Sequence, residues 1–171
     1  MGVHIEPIFV TRIEDSHGNI LGTFSPQSYD AISSQSAYTM LDMLQNVVNR
    51  GTANRLRRDY RFVGELGGKT GTSNNNADAW FIGLTPKVVA GGWVGGDDMN
   101  IHLTSRGEGG VVSLPIFGRF MQKVYADKSL GITEQDKFVR PEGVKRIDCD
   151  EMEESGTTID RTSTDDDTFF Q

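Results

Sequence analysis

A chain of 171 residues fits one domain, or one domain with a tail, and is long enough to bury a sizeable core. Hydrophobic residues make up 36% and glycine supplies 20 positions, which points to glycine-rich sheet with additional irregular chain. The net charge of -7 is concentrated at one end: residues 145–171 hold nine acidic side chains against Lys145, Arg146 and Arg161, so the remainder is near neutral and offers no basic face for nucleic acid.

The single Cys149 excludes an internal disulfide and any multi-cysteine metal site, and His4, His17 and His102 show no ligand spacing. No metal or cofactor is expected. No apolar run approaches membrane-spanning length and the N-terminus does not read as a signal segment, so any membrane attachment is expected to lie outside this sequence.

Residues 3–24 read as a solvent-facing hairpin, with Val3, Ile5, Ile8, Val10 and Ile13 on the first arm and 20–24 returning. Ser16-His17-Gly18-Asn19 supplies the turn, and Pro7 places the first strand at an edge. Residues 34–50 form the clearest helix: Ala37, Met40, Leu41, Leu44, Val47 and Val48 repeat at helical spacing. Ser33 or Ser34 suits its N-cap and Gly51 a left-handed stop. Asn49-Arg50-Gly51-Thr52 then reads as a helix terminator, the competing reading being a loop that approaches a site.

Arg55, Arg57, Arg58 and Arg61 follow with Tyr60 between them, and are expected in a solvated connecting loop. Strands are predicted over roughly 62–72, 77–84 and 87–95. Thr85-Pro86 and the Asn-rich linker at 74–76 are tight connections, so the three should form an antiparallel meander. Gly91, Gly92, Gly95 and Gly96 thin the third strand around Trp93, as close packing of a helix or strand would require. Residues 97–110 read as loop. A second helix starts with Ser113 as cap and Pro115 in its first turn, its apolar face formed by Leu114, Phe117, Phe120, Met121 and Val124. That face should cover one side of the sheet. Beyond residue 128 periodicity fades: 138–141 and 144–147 read as short extended pieces, and low hydrophobicity with high charge predicts disorder over 148–171.

The stretch with the most chemistry is Gly67-Gly68-Lys69-Thr70-Gly71-Thr72. One reading is a phosphate-binding loop, which needs Gly, four residues, then Gly-Lys-Thr, and must open into a helix. The first glycine would have to stand at Val63, and downstream lie Gly71, Thr72, Ser73 and three asparagines, which favour turns over a first helical turn. The phosphate loop is rejected. The other reading is an edge strand kept bare so that a peptide-like substrate lies along it, under one cation and two hydroxyls.

Lys-Thr-Gly-Thr on a strand is followed by Asp78-Ala79-Trp80-Phe81-Ile82-Gly83, then a Trp-Val-Gly strand and a Pro-Ile-Phe helix. This ordered string closely resembles the penicillin-binding proteins, with its best match to the bifunctional class A enzymes that polymerise and cross-link peptidoglycan. Val47-Val48-Asn49-Arg50-Gly51-Thr52 and the Ile13-Glu14-Asp15 … Gly18-Asn19 hairpin belong to the same resemblance. It spans roughly residues 2–127, with weaker similarity around 138–147. Lys-Thr-Gly stands beside Ser-x-x-Lys and Ser-Asp-Asn in the signature set of this superfamily.

The resemblance implies an α+β fold, the C-terminal part of a serine β-lactamase/transpeptidase-like fold, with an antiparallel sheet packed by helices. It divides the chain into the C-terminal half of a transpeptidase domain over 2–127, an extended segment over 128–147 and the acidic tail over 148–171. The family's sheet has two further strands from upstream sequence, so an open strand edge and an uncovered apolar face are expected. In the family the Lys-Thr-Gly strand lines the active site, and the stem peptide or a β-lactam mimicking its D-Ala-D-Ala end pairs with it by strand addition. Carried over, Lys69 makes the site electropositive and Thr70 and Thr72 bind the substrate's terminal carboxylate. Gly71 keeps the strand bare. The Thr72 backbone N–H supplies half of an oxyanion hole, a donor whose removal typically costs about 2.7–4 kcal/mol of transition-state stabilisation. Trp80 and Phe81 are expected in the core, and Asp78 to fix the turn.

The sequence also departs from the family. None of its serines is followed three residues later by lysine, so the acylation nucleophile is not among these residues. Ser73-Asn74-Asn75 fits Ser-x-Asn literally, but it follows Lys-Thr-Gly where the family's motif precedes it. It reads as a decoy in the strand linker. The chain is therefore expected to be part of a peptidoglycan D,D-transpeptidase, inactive alone, whose partner is the upstream half of the same domain. The implied location is the cell envelope, at the extracytoplasmic face of the bacterial inner membrane. The alternatives are a non-catalytic association module and a fragment of a serine β-lactamase.

Overall fold

The structure, a computed structural model, describes residues 1–98 and 100–145. Among the described residues, seven strands and four α-helices form an α+β arrangement: β1 Val3–Ile5, β2 Arg12–Glu14, β3 Ile20–Thr23, β4 Ser28–Asp30, α1 Ser34–Asn49, α2 Arg55–Arg58, β5 Gly67–Thr72, β6 Asp78–Leu84, β7 Val89–Gly95, α3 Gly109–Val112 and α4 Leu114–Ala126. The acidic tail, Cys149 and the second half of the 144–147 piece lie outside the described residues.

The N-terminal region is two nested ribbons and not one hairpin. β2 pairs antiparallel with β3 around the Ser16–Asn19 turn, and Asp15 Oδ1 accepts the His17 and Asn19 N–H groups. β1 pairs instead with β4, placing Val3 opposite Asp30 and Ile5 opposite Ser28. The missed partner is Ser28-Tyr29-Asp30, too short and polar to register as a strand from its pattern.

α1 begins where the sequence places it, with Ser33 Oγ accepting the Ser36 N–H at 3.1 Å. Its buried stripe is rotated from the predicted one. Tyr38, Leu41, Asp42, Gln45 and Val48 face inward, whereas Met40 is exposed. Gly51 does not adopt the left-handed conformation expected of it. It is small because a Cβ there would sit 2.9 Å from the Val47 carbonyl, as the chain turns back under the helix.

β5, β6 and β7 form the predicted antiparallel meander, in that order, although the first strand starts at Gly67 and not near residue 62. Thr70 lies opposite Phe81, which lies opposite Gly92; Gly71 lies opposite Trp80, which lies opposite Trp93. The Asn linker closes tightly because Asn75 and Asn76 take φ of 56 and 57°, a region asparagine tolerates better than most residues. At the other connection the Thr85 N–H donates to the Val88 carbonyl, while Thr85 Oγ1 accepts the Val88 N–H.

Alternation along β6 separates the two faces of the sheet. Ala79 and Phe81 are fully buried and pack toward α4, with the Phe81 and Phe117 rings meeting edge to face at 5.3 Å. Gly83 leaves room for the Phe117 ring, and Gly92 for the Ser113 carbonyl and Ile116. Val48, Ala53, Leu56, Phe62, Leu66, Leu114, Met121 and Val124 complete this core. Ser113 does not cap α4 with its side chain: it directly follows α3, and its hydroxyl donates to the buried Ala79 carbonyl at 2.6 Å. Phe120, predicted on the apolar face, points outward.

On the opposite face Trp80, Ile82, Trp93 and Val89 are exposed. Phe81 is in the core as expected, but Trp80 is not. The uncovered apolar face anticipated from the sequence is thus present among the described residues. After α4, a short 3-10 turn at Lys128–Leu130 leads into an irregular strap that enters no sheet. Glu134 Oε2 accepts the Val63 and Gly64 N–H groups at 2.6 and 3.0 Å, Glu65 Oε2 accepts the Phe138 N–H, and Lys87 pairs with Asp136 at 2.9 Å.

Candidate functional site

Among the described residues, β5 has β6 along one side and no strand along the other. Its first two glycines are buried beneath α1 and β6, and from Lys69 onward it rises to the surface. The strand therefore brings its cation and hydroxyls to an open edge. Cavities of about 420 and 460 Å³ lie elsewhere, one beside Met1 and Ile32, the other between Tyr125 and Glu134, and neither touches β5.

Two other segments converge on this edge. The Lys69 ammonium donates to the Thr70 carbonyl at 2.8 Å, which holds the cation alongside its own strand. Thr70 Oγ1 lies 3.0 Å from Thr52 Oγ1, across from the loop that follows α1. Thr72 Oγ1 accepts the Gly109 N–H at 3.1 Å, from the start of α3. Gly109 has no side chain because a Cβ would fall 2.6 Å from the Gly71 carbonyl, and Gly110 packs against the Thr52 carbonyl and the Thr70 methyl group. Arg55 ties these segments together, its Nη1 donating to the Gly110 carbonyl at 3.0 Å.

The Asn49–Thr52 stretch therefore reaches the candidate site as well as ending the helix, and Thr52 is the residue that sequence reasoning passed over. The Arg-rich stretch is likewise not a solvated loop. Arg57 Nε and Nη2 donate to Asn49 Oδ1, and its Nη1 donates to the Phe62 and Gly64 carbonyls at 2.8 and 2.7 Å. Hydrogen bonds from Arg58, then Arg55, hold the Asp59 carboxyl down at about 2. Arg61 takes a left-handed conformation, with φ of 60°.

Asp78 acts on both sides of the turn. Its N–H donates to Ser73 Oγ at 2.6 Å, and its Oδ1 accepts Trp93 Nε1–H at 2.8 Å, which sets the exposed Trp80–Trp93 pair. Ser73 is thereby used in the linker, and Asn74 and Asn75 lie in the 3-10 turn beyond it. Among the described residues no group of His, Cys, Asp and Glu has the arrangement of a metal site. No described helix is long and apolar enough to cross a membrane.

The arrangement offers an extended peptide an open strand edge carrying one cation and two hydroxyls whose oxygens are already engaged. The chain is also similar to known proteins. Penicillin-binding protein 1A of Rickettsia bellii is 35% identical over 74% of this chain and 18% of its own length. The protein of the same name from Aquifex aeolicus is 36% identical over 72% of this chain and 16% of its own. The chain thus spans about a fifth of the length of these curated relatives. The crystal structure of penicillin-binding protein 1A from Haemophilus influenzae superposes with a TM-score of 0.68 at 22% identity, over 82% of this chain and 26% of that one, a likeness of fold. Residues 1–122 match the family model described as the penicillin binding protein transpeptidase domain, and the chain belongs to that family.

Proposed function

We propose that this chain forms the substrate-docking wall of a serine D,D-transpeptidase that cross-links peptidoglycan stems through an acyl-enzyme intermediate. The observation that carries the reading is the open edge of β5, with Lys69, Thr70 and Thr72 rising along it beside a side-chain-free Gly71. The stem peptide, or a β-lactam in its place, adds to this edge as a strand. Lys69 supplies positive potential, Thr70 and Thr72 bind the terminal carboxylate, and the Thr72 N–H donates to the developing oxyanion. The nucleophilic serine and its lysine come from the upstream half of the domain, in a parent with a glycosyltransferase domain further upstream. The site of action is the cell envelope, on the outer side of the bacterial inner membrane.

A second reading rests on the exposed Trp80, Ile82, Trp93 and Val89: a non-catalytic module that associates through this face. Labelling with a fluorescent penicillin, followed by denaturing electrophoresis, separates the two. The expected result is no covalent label on residues 1–171 alone and clear label on the full-length protein. Lys69→Ala in the full-length protein should slow acylation severely. A stable adduct on the isolated chain, or near-normal acylation of the variant, would refute the corresponding assignment.

A further inference from the structure

The loop between α1 and α2 meets β5 at Thr52 Oγ1 and Thr70 Oγ1, 3.0 Å apart. Each hydroxyl has one proton and can accept as well as donate, so only one of the two protons lies between them. We propose that Thr52 is a positioning residue for Thr70: it donates to Thr70 Oγ1 and so leaves the Thr70 proton for a carboxylate lying along β5. This inference rests on the reading of β5 as a substrate-docking strand.

The opposite polarity would spend the Thr70 proton on Thr52 and present lone pairs to an anionic ligand, which repels it. A carboxylate therefore selects the Thr52-to-Thr70 direction. Thr72 shows the same device, its oxygen already accepting the Gly109 N–H, so that its proton too remains for an acceptor. Both strand hydroxyls have an acceptor position filled by a neighbouring segment. Such donors are oriented before the ligand arrives and need not reorganise when it binds.

The fold around Thr52 does not need its hydroxyl. The Gly51 and Ala53 N–H groups donate to carbonyls of α1, Asn54 Nδ2 donates to the Asn49 carbonyl at 2.6 Å, and Ala53 is fully buried. Neighbours on both sides thus fix the Thr52 backbone, while its side chain stands exposed beside β5.

The test compares acylation rates of the full-length protein by a penicillin and by the methyl ester of the same penicillin. Wild type should prefer the free carboxylate. Thr52→Val should reduce that preference about tenfold, the order expected when a hydrogen bond to a charged group loses its geometry. Its rate with the ester should change little, and Thr52→Ser should restore the preference. If Thr52→Val keeps the preference, or slows both ligands in parallel, the positioning role is overturned. A wild-type protein without any carboxylate preference would instead overturn the assignment of β5 itself, and the role of Thr52 with it.

Discussion

Arg57 anchors the polar framework behind β5. Its guanidinium joins Asn49, at the end of α1, to the Phe62 and Gly64 carbonyls on the approach to the strand. Burial pushes its basicity below the ordinary value, and the nearby Glu134 opposes that shift. The planar fork is what allows one side chain to serve three acceptors at once. Arg57→Ala should therefore destabilise the chain by about 2–3 kcal/mol, since buried carbonyls lose partners, and Arg57→Lys should recover only part of this. Denaturant unfolding measures both. Arg58, next in sequence, is exposed and pairs with Asp59, a position where replacement should cost little. The sequence shows these arginines as one basic cluster. Only their surroundings separate a half-buried fork from a solvated ion pair.

At the level of elements, the site depends on how closely α4 approaches the sheet. Phe117 packs edge to face on Phe81 and lies over Gly83, and the Ser113 hydroxyl is bonded to the Ala79 carbonyl. Phe81 is directly opposite Thr70, so the helix supports the strand that carries the hydroxyls. Phe117→Ala leaves a cavity at this contact and should cost about 3–5 kcal/mol, seen as a lower unfolding midpoint. The helix, its start and the three-stranded meander were legible in the sequence because periodicity and turn chemistry are local. The rotation of α1, the outward Trp80 and Phe120, and the role of Ser113 were not. An amphipathic arc is wider than the stripe a neighbour covers, and tertiary packing chooses which part of it is buried.

Across the whole molecule, the strap after α4 closes the fold by binding segments far away in sequence. Glu134 holds the Val63 and Gly64 amides, and Lys87 holds Asp136. Burial, reinforced by the carboxylates of Glu134 and Asp136, pushes the Tyr125 phenol up to about 12. The sign follows directly: the folded state keeps this proton where the unfolded chain, with a phenol near 10, has released it. Stability from this group is therefore complete below pH 10 and is lost between 10 and 12. Tyr125→Phe should remove that part of the alkaline loss, measured as the difference between the two unfolding midpoints across this range. A parallel decline in both proteins would show that Tyr125 is not responsible. From the sequence, 131–138 carries no periodic signal, because its order comes from single side chains reaching distant amides. The sequence by itself determined the meander, the two long helices, the family resemblance and the placing of Lys69, Thr70, Gly71 and Thr72 on one strand, since each is written in local pattern or motif. Only the tertiary structure decided that Thr52 meets Thr70, that Arg57 is a half-buried fork and that Trp80 faces outward, because those contacts join residues whose separation in sequence says nothing about their distance in space.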